Sequence, residues 1–215
     1  MSNSWSSSWL ARVKSQKAIA VIRAVSPELG LRMAEAVAAG GMELIEVTWN
    51  SAQPAKLLHR LQAELPHCSI GAGTVLTLAD LQSAIDAGAE FLFTPHTNLQ
   101  VIQRAVAQRL PIVPGALTPT EILTAWQAGA TCVKVFPIET MGGAAYLRHL
   151  QGPIGQIPLI PTGGVTLENA GALVAAGAVA VGLAGQLFPQ QAIAQGGLDD
   201  CATAGQPLDA GAGAN

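Results

Sequence analysis

"TAWQAGATCVKVFP", residues 124–137, holds a helix end, a turn and a strand in fourteen residues. A glycine that tolerates positive φ suits the end of a helix at Gly129, and the β-branched run that follows, around Val133 and Val135, suits a buried strand. The same punctuation recurs in "AEAVAAGGMELIEV" (34–47), "QSAIDAGAEFLFTP" (82–95) and "ALVAAGAVAVGL" (172–183). The return junctions repeat too. "SPEL" (26–29), "TLAD" (77–80), "TPTE" (118–121) and "TLEN" (166–169) each offer a Ser or Thr N-cap, two with Pro at the first helical position and two with an acid three residues on.

Completing the pattern places strands near 18–23, 42–48, 69–73, 91–94, 111–114, 131–136, 158–162 and 179–182, each followed by a helix, of which "GQLFPQQAIAQ" (185–195) is the weakest. Eight strand-helix units with short right-handed connections imply a single-domain α/β fold, a (β/α)8 or TIM barrel. An open doubly wound sheet is the alternative, and the lack of GxGxxG after the first strand counts against its dinucleotide-binding form. Residues 1–17 read as a lead-in segment, 18–195 as the barrel, and the aperiodic Gly/Ala/Asp-rich 196–215 as a flexible tail.

The chain is 50% hydrophobic but only 12% charged, against a usual charged share of about 25%, so part of its surface is expected to be covered by another subunit. A net charge of −3 gives no general attraction to nucleic acid or anionic lipid. Cys68, Cys132 and Cys201 are odd in number and have no CxxC spacing, which argues against a disulfide framework or zinc site and fits a reducing cytoplasm. "MSNSWSSSWLARVKSQ" does not read as a secretory signal, and the uncharged "AGALVAAGAVAVGLAG" (170–185) is too short and glycine-broken for a membrane span. It reads as helix, turn and buried strand.

Barrel chemistry sits where strands end. Those ends carry Arg23, Glu46, Thr74, Thr94 with His96, Lys134, and the "PTGG" of Gly163 and Gly164. By strand alternation Val133 and Val135 face helices and Lys134 faces inward, and the same parity turns Glu46 inward between Ile45 and Val47. Two readings compete for these opposite charges. They are a structural ion pair, or Lys134 is a nucleophile made reactive by removal from water. Their position at the functional end favours chemistry. The glycine pair before the N-cap Thr166 is a suitable anion cradle in a loop that often holds phosphate in barrels. No cofactor and no metal is called for: His59, His67 and His149 fall away from the site, and His96 reads as a lining residue.

"IEVT", "GAGTVLT", "TPH", "PGALTPTE", "VKVFP" and "PTGGV" occur together, in an order and spacing that resembles the 2-keto-3-deoxy-6-phosphogluconate (KDPG) aldolases, some of which also cleave 4-hydroxy-2-oxoglutarate (KHG). The similarity runs from about Ile19 to Leu187. It implies a trimeric class I aldolase acting on a 2-keto acid, with Lys134 as Schiff-base lysine, Glu46 as acid/base and Thr74 on the substrate carboxylate. Pro95 and Phe136 would line the pocket, and Thr162, Gly163 and Gly164 would lie beside the sugar and its phosphate. Gly185 and Gln186 stand where a Gly-Ser is often found. Asn50 occupies the place of a carboxylate-binding arginine, a departure that brings in the aldolase for the galactonate epimer as an alternative. Other members carry an arginine at the end of the first strand, as Arg23 does here, and Arg23 is expected to take over the carboxylate. A non-catalytic phosphate-binding barrel and a metal-dependent aldolase or epimerase are the remaining rivals.

Overall fold

Each Ser/Thr cap closes a helix start. Ser26 Oγ accepts the Leu29 N–H at 3.2 Å ahead of α2 (Pro27–Ala39). Thr77, Thr118 and Thr166 form reciprocal capping boxes with Asp80, Glu121 and Asn169, ahead of α4 (Leu78–Asp86), α6 (Pro119–Gln127) and α8 (Leu167–Ala175). Asn169 does the work of an acid because its amide oxygen accepts the Thr166 N–H equally well. At the other ends, Gly129 and Gly177 adopt φ of 101°, a conformation that L side chains rarely take.

The structure is a computed structural model describing residues 4–188. The expected tail, Cys201 and most of the expected last helix lie outside the described residues; Gly185–Leu187, where that helix was to begin, form a 3-10 turn.

The strands are β1 (Ala18–Ile22), β2 (Leu44–Thr48), β3 (Ser69–Gly73), β4 (Leu92–Phe93), β5 (Ile112–Val113), β6 (Gly115–Ala116), β7 (Val133–Val135), β8 (Leu159–Pro161) and β9 (Val181–Leu183). All ladders are parallel. One sheet runs β5-β4-β3-β2-β1-β9 and the other β6-β7-β8. The nine segments amount to eight barrel strands, because β5 and β6 are one strand interrupted at Pro114, which has no N–H to give to a ladder. Its carbonyl still accepts Lys134 N–H at 2.9 Å. On the other side, the Val179 N–H reaches the Leu159 carbonyl at 3.0 Å and Thr162 bridges to Gly182, so the sheet closes into the expected barrel. Helices α3 (Pro54–Glu64), α5 (Leu99–Ala107) and α7 (Ala144–Ile154) complete the outer ring among the described residues.

Strand alternation sorts the core into two bodies. Ile45, Val47, Ile70, Ala72, Val133 and Val135 pack between sheet and helices. Ile19, Leu44, Phe91, Phe93, Val113, Cys132 and Ile160 fill the barrel interior.

One further helix, α1 (Ser4–Gln16), occupies what the sequence offered only as a lead-in. Its serine-rich start masks a two-residue apolar face: Trp9 and Val13, one turn apart, are buried in the interior cluster, with the Trp9 ring 5.2 Å from that of Phe91. Arg12 pairs with Glu43 at 3.1 Å, and the Gln16 side chain accepts the Glu43 N–H. The helix therefore stops the base of the barrel, leaving the strands' C-terminal ends as the mouth.

Trp9→Ala is expected to cost about 3 to 5 kcal/mol in urea unfolding, the range for deleting a buried aromatic. Trp9→Phe should cost far less, because the Trp9 indole N–H is buried without a hydrogen-bond partner and its removal loses no bond. Equal losses for the two variants would show that the ring is not what seals the base.

Candidate active site

Lys134 lies in the middle of β7, so both its neighbours take the helix-facing positions and its side chain has only the barrel axis to enter. It is 6% exposed. Its ammonium stands 4.9 Å from the centroid of the Phe136 ring and 5.9 Å from that of Phe93, within range of attraction to a ring face. Glu46, in the middle of β2, is 1% exposed. The two charges share the barrel but do not form the structural pair weighed for them: among the described residues no carboxylate lies within 4.0 Å of the lysine nitrogen.

Glu46 is correspondingly uncomfortable. One carboxylate oxygen, Oε1, is buried with no hydrogen-bond partner. Burial pushes the carboxyl above its usual range, and the positive charges of Lys134 and Arg23 draw it only part of the way back.

Arg23 and Asn50, weighed as alternatives for the substrate carboxylate, touch each other. Arg23 Nε donates to Asn50 Oδ1 at 3.2 Å, which leaves the two terminal nitrogens of the guanidinium without a hydrogen bond among the described residues. The loops beneath are tied down by Ser51, whose Oγ accepts the Ala24 N–H at 3.1 Å and lies 3.1 Å from Thr48 Oγ1, while the Ala52 N–H reaches the Ala24 carbonyl. Thr74, just past β3, holds φ of 56°, unusual for a β-branched residue. Neither its hydroxyl nor its N–H is used among the described residues.

The glycine loop after β8 has a one-sided hydrogen-bond pattern. The carbonyls of Thr162, Gly163 and Gly164 accept from Ile138 N–H, Glu139 N–H and Asn169 Nδ2 respectively. The N–H groups of Gly163 and Gly164 donate to nothing among the described residues, which is the arrangement an anion cradle requires. Both glycines have positive φ, 85° and 81°. A Cβ on Gly163 would press on the Phe136 ring at 3.0 Å, and one on Gly164 would meet the Glu139 carboxylate at 2.2 Å. A side chain at Gly164 would thus act through Glu139, a residue the sequence did not single out. Thr162 Oγ1 is buried with no partner. Gly185 and Gln186 are exposed in the turn after β9.

Pro95 and Phe136 line a cavity of about 490 Å³ with His96, Thr97, Gly115 and Ala116; Lys134 and Glu46 lie outside its walls. His96 is exposed there, its carbonyl accepting the Thr94 hydroxyl at 2.6 Å. Among the described residues no three of His, Cys, Asp and Glu converge where they could hold a metal ion. Phe93 and Ser51 escaped the sequence reading, although Phe93 shares the inward parity of Pro95 and could have been found by it.

A parallel (β/α)8 barrel with an inward lysine and an inward carboxylate is a framework that can support nucleophilic and acid–base chemistry at a carbonyl. A family model described as "KDPG and KHG aldolase" matches residues 10–203, and the chain belongs to that family. It is 40% identical over 139 residues to the 2-dehydro-3-deoxy-phosphogluconate aldolase of Pseudomonas aeruginosa, a match spanning 65% of this chain and 63% of that one. It is 33% identical over 172 residues, 79% of this chain and 83% of the other, to the 2-dehydro-3-deoxy-6-phosphogalactonate aldolase of Escherichia coli. Among solved structures, the KDPG aldolase of Legionella pneumophila, described with pyruvate captured as a covalent carbinolamine, superposes with a TM-score of 0.84 at 27% identity, covering 91% of this chain and 95% of that one.

The state of Glu46 is measurable as stability. Because folding raises the pKa of this carboxyl, its favourable contribution is full below the usual carboxyl pKa and is lost as pH rises through the raised value. Glu46→Gln, neutral at every pH, is expected to melt higher than the parent at about pH 8 and to lose that advantage by about pH 4. Melting curves across this range check it; a Gln variant less stable at high pH would mean that the carboxylate is well satisfied when charged.

Proposed function

We propose that this chain is a class I aldolase that cleaves KDPG to pyruvate and glyceraldehyde 3-phosphate through a Schiff base on Lys134, with KHG, cleaved to pyruvate and glyoxylate, as a second substrate. The observation that carries the reading is the buried lysine without an ion-pair partner: an amine held inside a barrel mouth and left to an incoming ketone.

Lys134 Nζ adds to the keto carbon, and loss of water from the carbinolamine leaves an iminium. Glu46 takes the proton of the hydroxyl on carbon 4, whose electrons form the aldehyde carbonyl. The bond between carbons 3 and 4 breaks, and its electron pair enters the iminium to give an enamine. Glyceraldehyde 3-phosphate departs, Glu46 returns the proton to carbon 3, and water releases pyruvate and the free lysine. The raised affinity of Glu46 for a proton suits it to both transfers.

The other residues serve binding. The unused donors of Arg23 and Thr74 converge on a carboxylate, with Asn50 steadying Arg23. Pro95 and Phe136 wall the pocket, and the Thr162 hydroxyl meets the sugar chain. The free N–H groups of Gly163 and Gly164 take the phosphate, with the turn at Gly185 and Gln186 beside them. Thr162, in its resemblance to the gluconate-type enzymes, supports KDPG over the galactonate epimer. The half-exposed Leu76, Leu78 and Leu99 near the barrel mouth support burial by further subunits. The resemblance to the aldolase family carries the homotrimer, and the cysteines without CxxC spacing carry the cytoplasm.

The decisive experiment is borohydride reduction in the presence of pyruvate, followed by peptide mass mapping. A stable adduct on Lys134, absent from a folded Lys134→Met variant that also fails to cleave KDPG, is the expected result. Lack of an adduct in the parent protein would instead favour a silent phosphate-binding barrel. Arg23→Leu should lower kcat/KM for KDPG by about 1.5 to 3 kcal/mol and weaken pyruvate capture alike, as loss of a charge-assisted contact does. Unchanged kinetics in that variant would remove Arg23 from the carboxylate site, and faster cleavage of the galactonate epimer than of KDPG by the parent would reverse the substrate assignment.

A further inference from the structure

The inward positions of β3 are Gly71 and Gly73, which follow Ser69 with the strand's period of two. Glu46 lies opposite Gly71 and Thr48 opposite Gly73 in the ladder between β2 and β3. The Glu46 side chain does not stay at its own level. A Cβ placed on Gly73 would meet Glu46 Oε1 at 1.6 Å, Cδ at 2.3 Å and Cγ at 2.5 Å, so the carboxylate leans one inward position toward the mouth and lies against bare backbone. Gly73 needs its glycine for no other reason visible in the fold. Its φ is not in the left-handed region, unlike those of Gly163 and Gly164, and the three nearest atoms that a Cβ there would meet all belong to Glu46.

We propose that Gly73 is a positioning residue of the active site: the missing side chain is the socket in which the acid/base carboxylate of Glu46 is held, clear of Lys134 and turned to the barrel mouth. This rests on the Schiff-base reading above. A methyl group at position 73 would evict the carboxylate toward the barrel axis, where the substrate and the lysine must meet. Gly71 is bare for a different purpose, since its Cβ would strike the Phe91 ring at 2.3 Å in the barrel base. The two glycines of "GAG" thus serve packing and proton transfer separately.

The step most exposed to this placement is proton exchange on bound pyruvate. Glu46 removes a proton from carbon 3 of the pyruvyl iminium; the electron pair of that C–H bond becomes the enamine double bond, and the iminium π pair returns to nitrogen. Return of a deuteron reverses the flow and labels the methyl group. The reaction needs Lys134 and Glu46 but no cleavage and no phosphate.

The test is a cycle of four full-length proteins: parent, Gly73→Ala, Glu46→Ala, and the double variant, followed by deuterium uptake into pyruvate, its pH profile, borohydride trapping and melting temperature. Gly73→Ala is expected to slow exchange by about 10²-fold, the scale on which a positioned acid/base acts, with the pH limb displaced, while still accumulating the trapped adduct at long times. In the Glu46→Ala background the same change should alter exchange less than about threefold and not lower the melting temperature, since the three atoms nearest the new methyl all lie beyond the Glu46 Cβ. If Gly73→Ala does not fold but the double variant does, the socket assignment stands; if neither folds, the glycine serves the backbone and the proposal fails. Parent-like exchange with an unshifted limb in Gly73→Ala overturns the positioning role alone. A parent protein that neither traps nor labels pyruvate overturns the Schiff-base reading itself, and this proposal with it.

Discussion

Two opposite charges are withdrawn from water inside the same barrel and are not allowed to satisfy each other. A buried lysine in contact with a buried carboxylate would be a closed pair, of little use to a substrate and of no clear aid to stability. Here Lys134 faces the rings of Phe93 and Phe136, while Glu46 keeps one oxygen without a partner. Both groups are therefore left with unspent interaction. The surrounding fold pays for that tension in packing: a closed parallel sheet, helices on its outer face, and an interior filled below the site by Ile19, Leu44, Phe91 and Val113.

The sealing of the base follows from the same constraint. Lys134 and Glu46 stay desolvated only while water is kept from reaching them through the other end of the barrel. Helix α1 supplies the stopper with few apolar residues, because Trp9 is large enough to pack at a tilt of 42° against Phe91, which meets Phe93 beside Lys134 edge to face. The lysine thus sits at the upper end of a column of rings whose lower end is the N-terminal helix. Stability of the base and the environment of the amine are one piece of packing.

Most of the barrel was legible in the sequence because its signals are local. Caps such as Thr77-Asp80 and Thr118-Glu121 and the glycines after the helices announce boundaries within four residues, and alternation around Lys134 and Glu46 assigns their direction. What was not legible depends on partners distant in sequence. Helix α1 has a face only two residues wide, and its meaning appears when Phe91 is above it. Pro114 was inside an expected strand but not recognised as its interruption. The hydrogen bond between Arg23 and Asn50 joins residues 27 apart, and the contact of Glu139 with Gly164 joins two loops. Each is a fact about neighbouring strand ends, which no reading along a single strand contains.

In the proposed function, Arg23 and Asn50 together stand in for a missing motif residue. In the parallel ladder Val21 lies beside Glu46 and Ile22 beside Val47, so continuing the register brings Arg23 to the level of Thr48, within reach of the loop that carries Asn50. An arginine side chain spans that distance, and Arg23 Nε arrives 3.2 Å from Asn50 Oδ1. A cation rooted on β1 and a cation rooted after β2 would consequently open onto the same part of the mouth. Two adjacent strands can thus each supply a charge at the same level of the barrel, near Glu46. With Arg23 present, position 50 carries no charge, and its Oδ1 holds the guanidinium's Nε while the two terminal nitrogens of the fork keep their donors unused among the described residues.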